Sequence, residues 1–294
     1  MQVWVNGEFV NRDDATVSIF DASIQHGIGL FETMLAVGDN VHRLRAHLER
    51  LERSCRELML TERLHLDPLE QAVRLVVREN GFERTRIRLT LTGGNLNALQ
   101  SQNTSPTDPT IIIVAQPATE YPATMFDEGV TVTIANGRLN PFDPMGGHKN
   151  LNYWPNIQAL QGAAMRQAAE SLWFSVSNHL ASGSVSNVFL LNDGVLHTPI
   201  AHGEEEDGAL PAPVLPGITR AAIMEFADRR GVGTSRRMLD IDDLLEADEV
   251  FLTNSSWGVL PVVAVERETI NDGNVGDFTR TMREAWQADC ADSA

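Results

Sequence analysis

Lysine is nearly missing from this chain. Of the 23 basic residues among 294, one, Lys149, is lysine and the rest are arginine. Arginine matches lysine for surface charge and makes better two-point ion pairs, but it keeps its proton under ordinary conditions. A desolvated lysine can lose its proton and condense with a carbonyl to form a Schiff base. The count alone does not separate that use from an accident of an arginine-biased composition, so the neighbours of Lys149 have to decide.

Other scarcities exclude whole classes. The two cysteines, Cys55 and Cys290, belong to no CxxC pair, which argues against a disulfide framework and for a reducing compartment. No apolar run approaches the roughly 18 residues of a membrane-spanning helix, so no membrane partner is expected. The opening MQVWVNGEFVNRDD lacks a basic stretch followed by an apolar run, so no signal peptide is expected either. Cytoplasmic is the default location. Positive charge is in deficit: the net charge of −17 argues against a nucleic-acid or anionic-membrane surface, while leaving room for a local positive pocket. At 43% hydrophobic residues the core can be large, with no need for a metal or disulfide staple, and no metal ligands are assigned.

What is present reads as mixed strands and helices. VWVNGEFV (3–10) gives two short strands around Asn6-Gly7, a type I′ hairpin signal. Residues 31–37 and those near Val41 form a second pair turned at Gly38, Asp39 and Asn40. Leu44, Leu48, Leu51, Cys55 and Leu58 recur at three and four residues, as on an amphipathic helix. Asp67-Pro68 is expected to cap a further helix that stops at Asn80-Gly81. Residues 84–91 alternate like a half-buried strand, 93–109 form a long polar loop, and 110–116 a buried strand. Residues 118–128 are a linker between an N-terminal α/β domain (1–117) and a larger C-terminal domain (129–294). In the latter, strands are expected at 130–135, 172–176, 188–196 (with a turn at Asn192-Asp193-Gly194), 249–253 and 259–265, and helices at 156–169, 217–231, 242–246 and 278–287. A loop over 137–150 carries Lys149, and GEEEDGALPAPVLP (203–216) reads as an exposed acidic loop. The fold class is α+β, a two-domain mixed α/β chain without internal repeats.

A Schiff-base lysine needs a carbonyl partner, and pyridoxal phosphate is the common one. Its phosphate has to be held. LPGITR (215–220) puts Gly217, Ile218 and Thr219 at a helix start, where free N–H groups and the helix dipole favour an anion. TNSS (253–256) follows a strand with further hydroxyls. Such residues at a helix start also serve as plain caps.

Six stretches in order then resemble one family over nearly the whole chain. They are GIGLFETM (27–34), HLERL (47–51), HKNLNY (148–153), GSVSNVFLLNDGVLHTP (183–199), LPGITR (215–220) and ADEVFLTNSSWGVLPV (247–262). Together they resemble the class IV, or fold type IV, pyridoxal 5'-phosphate enzymes: branched-chain aminotransferases, D-amino acid aminotransferases and 4-amino-4-deoxychorismate lyase. The resemblance implies that Lys149 carries the cofactor as a Schiff base. It implies that Arg50 pairs with the phosphate, with Gly217, Ile218, Thr219, Asn254 and Ser255 forming a cup around it. Leu215 would pack on the pyridine ring. Phe31 and His26 would line the substrate pocket, with Glu32 supporting the backbone. Relatives are homodimers, so a homodimer is expected.

Two departures bear on the chemistry. Relatives usually carry T-E-G-S where this chain reads Ala181-Ser182-Gly183-Ser184, so Ser182 stands where a glutamate pairs with the ring nitrogen. A neutral hydroxyl cannot stabilise a pyridinium by charge, which implies slower removal of the Cα proton. The acidic run 204–207 is a conceivable substitute, although a solvated loop is the plainer reading. Several relatives also place an arginine after the strand at 84–92 to bind the substrate carboxylate, whereas this chain reads TGGNLN (92–97). The resemblance implies a transaminase moving an amino group between an amino acid, a branched-chain one among the candidates, and a 2-oxo acid. The alternatives are a lyase giving pyruvate and 4-aminobenzoate, and a cofactor-binding scaffold impaired in catalysis.

Overall fold

Asn6 and Gly7 both take positive φ, 48° and 101°, and this turn joins β1 (Gln2–Val5) to β2 (Glu8–Asn11) in the register Val5↔Glu8. The hairpin opens the computed structural model, which describes residues 1–62, 64–95 and 109–292. The chain divides into two units. The first comprises Met1–Thr119, Lys149–Asn152 and the end of the chain from Asp289; the second comprises Glu120–His148 and Tyr153–Ala288. The division is therefore not into two consecutive segments, because the lysine-bearing stretch belongs with the first unit.

In the first unit, β3 (Gly29–Val37), β4 (Asn40–Val41), β5 (Arg84–Thr92) and β6 (Ile111–Pro117) complete an antiparallel sheet of order β2-β1-β6-β5-β3-β4. After a short α1 (Ala22–His26), two longer helices, α2 (Leu44–Glu57) and α3 (Leu66–Asn80), cover one face. There Leu30, Met34, Ile87, Leu89, Leu91 and Ile113 pack against Leu48, Leu51, Cys55, Val73 and Val76. Strand alternation sends Arg84, Arg86, Arg88 and Thr90 to the opposite face, together with Phe31, which pairs with Thr90. His65, not Asp67, is the N-cap of α3, so Asp67 lies inside the first turn. Most of the polar loop expected at 93–109 lies outside the described residues. Cys290 is buried, and Asn40 Nδ2 donates to its carbonyl.

The second unit is a nine-stranded mixed sheet. Its helices are α4 (Thr124–Asp127), α5 (Trp154–Met165), α6 (Ile218–Asp228), α7 (Ile241–Leu245) and α8 (Asp277–Asp292), the last of which runs on into the residues counted with the first unit. Its strands are β7 (Val130–Leu139), β8 (Glu170–Ser175), β9 (Leu180–Gly183), β10 (Asn187–Asn192), β11 (Val195–Thr198), β12 (Thr234–Arg236), β13 (Glu249–Asn254) and β14 (Gly258–Val265), with β15 (Glu268–Thr269) on β14. The order β12-β11-β10-β13-β14-β7-β8-β9 mixes parallel and antiparallel pairs. Asp193 and Gly194, both at positive φ, turn the β10–β11 hairpin, as expected within 188–196. The helix expected at 156–169 stops at Met165, where Gln167 turns with φ 61° and Ala169 N donates to the Thr131 carbonyl. No helix among the described residues is long and apolar enough to cross a membrane.

Candidate active site

The candidate residues fall into two groups, one in each unit. In the first, Lys149 is clamped to β3 by its backbone: Phe31 N donates to the Lys149 carbonyl at 2.9 Å and Leu151 N to the Gly29 carbonyl at 3.0 Å. Gly29 is required here, because a Cβ would meet the Leu151 side chain at 2.6 Å and the Leu91 carbonyl at 2.7 Å. The Lys149 ammonium lies 4.5 Å from the centre of the Phe31 ring, and the Arg88 guanidinium 3.6 Å from the same ring. Burial, then the like charge of Arg50, pushes the Lys149 amine down to about 8, with smaller contributions from Arg88 and Arg86 and an opposing one from Glu32. The amine is thus close to deprotonation near neutral pH, as a nucleophile or proton carrier requires.

Arg50 is not a solvated helix arginine. It is 7% exposed, and its Nε and Nη2 both donate to Glu32, whose other hydrogen-bond partner is His47 Nδ1 at 2.8 Å. Glu32 does more than support the backbone: it neutralises the arginine and fixes its direction. His47 and Arg50, one turn apart on α2, both aim at a carboxylate that interrupts the apolar face Leu30–Met34. That polar position among apolar ones is the signal sequence reasoning could have used. His26 ends α1 and is exposed.

In the second unit the two phosphate-type segments are tied together through Asn187. Its Nδ2 donates to the Leu215 carbonyl at 2.8 Å, and it pairs with Thr253 across β10 and β13. Its Oδ1 would lie 1.9 Å from a Cβ at position 217, so only glycine fits there. Gly217 is the N-cap of α6, and Ile218 and Thr219 begin the helix. Asn254 Nδ2 donates to the Val185 carbonyl at 3.2 Å, while its Oδ1 accepts from Ser256 N and Trp257 N, forming the turn that presents Ser255. The hydroxyls of Thr219 and Thr253 are buried without a hydrogen-bond partner among the described residues. An unsatisfied buried hydroxyl costs about 1–3 kcal/mol. Two of them, beside a helix start with open N–H groups, fit an anionic group such as a phosphate.

Ser182 lies on β9, a strand missed in sequence, opposite Trp173 on β8. The nearby buried carboxylate is Glu170, which alternation places on the other side with Gly183, where an added Cβ would approach its Oε2 to 3.0 Å. Glu170 accepts from Ser171 N, Ser184 N, Val185 N and Ser186 Oγ, so it holds the 184–186 turn. Burial pushes its pKa up. Nor is the acidic run 204–207 simply solvated: Glu204 pairs with buried Arg220, and Glu205 accepts from Gly203 N and Ala212 N.

A buried lysine of lowered pKa in one unit, and a helix start with unpartnered hydroxyls in the other, are features that a Schiff-base enzyme with a phosphate-bearing cofactor uses. The family profile of the class IV amino-transferases matches residues 29–265, and the chain belongs to that family. It is 28% identical to a D-alanine aminotransferase of Staphylococcus epidermidis over 287 residues, 97% of this chain and 96% of that one. The branched-chain amino acid aminotransferase structure from Escherichia coli superposes with a TM-score of 0.87 at 26% identity, covering 98% of this chain and 93% of the other. The 4-amino-4-deoxychorismate lyase structure from Pseudomonas aeruginosa gives 0.81 at 28% identity, covering 98% of each. The chain is accordingly an enzyme of the pyridoxal-phosphate-dependent transaminase type with the type IV fold.

Proposed function

We propose that this chain transfers an amino group between an amino acid, with branched-chain donors the first to test, and a 2-oxo acid, and that it does so as a cytoplasmic homodimer. The observation that carries the reading is the only lysine of the chain, pinned to β3 with its amine held near neutrality. When bound, pyridoxal 5'-phosphate supplies an aldehyde and a ring that withdraws electrons from the substrate Cα. The Ile218 and Thr219 amides and the Thr219 hydroxyl would hold its phosphate, with Ser255 and the Arg50 guanidinium, kept rigid by Glu32, adding to the hold. Leu215 would pack on the ring, and Ser182 would offer its nitrogen a hydroxyl. The Lys149 Nζ takes the Cα proton of the donor and later returns one to the acceptor, a role that arginine cannot fill. Phe31 walls the lysine on one side. Arg86 and Arg88, whose charges already reach Lys149, attract the carboxylates of donor and acceptor. Each unit exposes large apolar residues, Ile19, Phe20 and Ile24 in the first and Phe142, Trp154 and Met165 in the second, as a chain that pairs with its own copy does.

The test is spectroscopic. Addition of pyridoxal phosphate is expected to give a yellow protein, and borohydride reduction to leave one adduct, on the peptide bearing Lys149. Donors offered singly should then bleach the band. An adduct elsewhere, or none, removes the reading. Ser182, with the likeness to the lyase structure, motivates a second reading, a lyase. Turnover that continues without any 2-oxo acid acceptor would favour it.

A further inference from the structure

We infer that Glu204, in the acidic loop, is a positioning residue for the phosphate-binding end of α6 and acts through Arg220. The inference rests on the proposed phosphate cup at 217–219. Arg220 is the third residue of α6 and is 1% exposed. A cation at a helix N-terminus opposes the helix dipole, and a buried one needs a compensating anion. Glu204 supplies it at two points, Nη1 to Oε1 and Nη2 to Oε2, both 2.8 Å. Two further donors are committed: Nε reaches Thr198 Oγ1 at 3.2 Å and Nη2 the Pro199 carbonyl at 2.9 Å. Thr198 Oγ1 in turn donates to the Val188 carbonyl on β10 at 2.9 Å.

The same carboxylate fastens its own loop. Its Oε2 accepts from Ala201 N at 2.9 Å, and Arg236 Nε on β12 lies 3.7 Å from its Oε1. One side chain therefore joins the 199–204 turn, an edge strand and the first turn of α6. That turn also carries the Ile218 and Thr219 amides and the unpartnered Thr219 hydroxyl. Burial works to raise the Glu204 pKa, but the hydrogen bonds from Arg220 hold it below the usual carboxylate range, so the clamp is ionised at neutral pH. Without the carboxylate, Arg220 would be a stranded buried cation, and its shortest relief is to shift the helix start toward water. An anion site made of backbone amides loses affinity steeply when its donors move by a fraction of an ångström.

The experiment compares two probes on the full-length apoprotein, pyridoxal 5'-phosphate and pyridoxal, which lacks the phosphate, with melting temperature measured alongside. Glu204→Gln is expected to weaken pyridoxal phosphate at least about tenfold while leaving pyridoxal within about twofold, and Glu204→Asp to recover most of the loss. Should Glu204→Gln fail to fold, Arg236→Gln loosens the same carboxylate without stranding Arg220, and the same split should appear in smaller measure. A lowered melting temperature with both affinities unchanged, or an equal loss for both probes, would make Glu204 merely structural and overturn the inference. Tighter binding of pyridoxal phosphate would overturn it too, by showing that the unneutralised charge of Arg220 acts directly. Failure of the unaltered protein to bind either probe would instead overturn the cofactor reading, and the inference would fall with it.

Discussion

The carboxylate of Glu32 and the guanidinium of Arg50 meet at two points inside the first unit, Nε to Oε1 at 2.9 Å and Nη2 to Oε2 at 2.5 Å. Burial works to raise the Glu32 pKa, but the charge of Arg50 and the His47 hydrogen bond override it and bring it down to about 2, from an ordinary 4.5. A carboxylate whose pKa falls on folding stabilises the fold fully above the unfolded value and loses that contribution as pH drops. For Glu32 the loss runs from about pH 4.5 down to about 2 and amounts to about 3 kcal/mol. Glu32→Gln should remove this acid-sensitive part of the stability curve. It should also cost about 3–5 kcal/mol at neutral pH by stranding Arg50. Urea unfolding across a pH series reads both effects.

Lys149 should titrate near 8 and not at the roughly 10.4 of an exposed lysine. The depressed value means the neutral amine dominates above about pH 8 and disappears below it. Competitive acylation of the apoprotein, followed on the peptide bearing Lys149, measures the midpoint. Arg50→Gln removes the largest like charge acting on the amine and should raise that midpoint.

Arg88→Gln takes away the guanidinium stacked on Phe31. If Arg88 attracts substrate carboxylates, KM for the 2-oxo acid should rise about tenfold, with kcat changing much less. Steady-state kinetics across acceptors with one and two carboxylates gives the answer, and an unchanged KM for all of them removes Arg88 from substrate binding.

Gly217→Ala places a methyl group against Asn187 Oδ1. Overpacking of this kind costs about 1–3 kcal/mol, and here it falls on the side chain that ties the helix start to β10. Affinity for pyridoxal phosphate should drop by about tenfold or more, read by absorbance titration.

Ser182→Glu places a carboxylate where the family resemblance implies one beside the ring nitrogen. A protonated ring nitrogen withdraws electrons more strongly, so kcat should rise about tenfold. An unchanged kcat in a folded, cofactor-loaded variant would show that position 182 does not address the ring.

Much of the fold was legible because local chemistry dictates it. Asn6-Gly7 and Asp193-Gly194 demand positive φ, alternation exposed β5, and the three-four spacing exposed α2. The misses have physical reasons. The four-residue β9 is too short to show a period, and it carries Ser182. Glu204 looked like solvated charge because its partner lies 16 residues on, in a different element. Glu32, His47 and Arg50 converge across 15 to 18 residues, and a polar residue in an apolar strand discloses its partners only once strand and helix are packed. Asn187 reads as an ordinary strand residue until Gly217 is seen pressed against it.

Phe31 N and Gly29 O grip the backbone at Lys149 and Leu151, and the chain offers no other lysine. Every other strongly basic side chain is a guanidinium. Reagents that decorate proteins through side-chain amines, whether laboratory cross-linkers or the acyl donors of a living cell, find no harmless surface lysine to absorb them. Acylation of a side-chain amine can fall only on Lys149, the residue proposed to carry the chemistry.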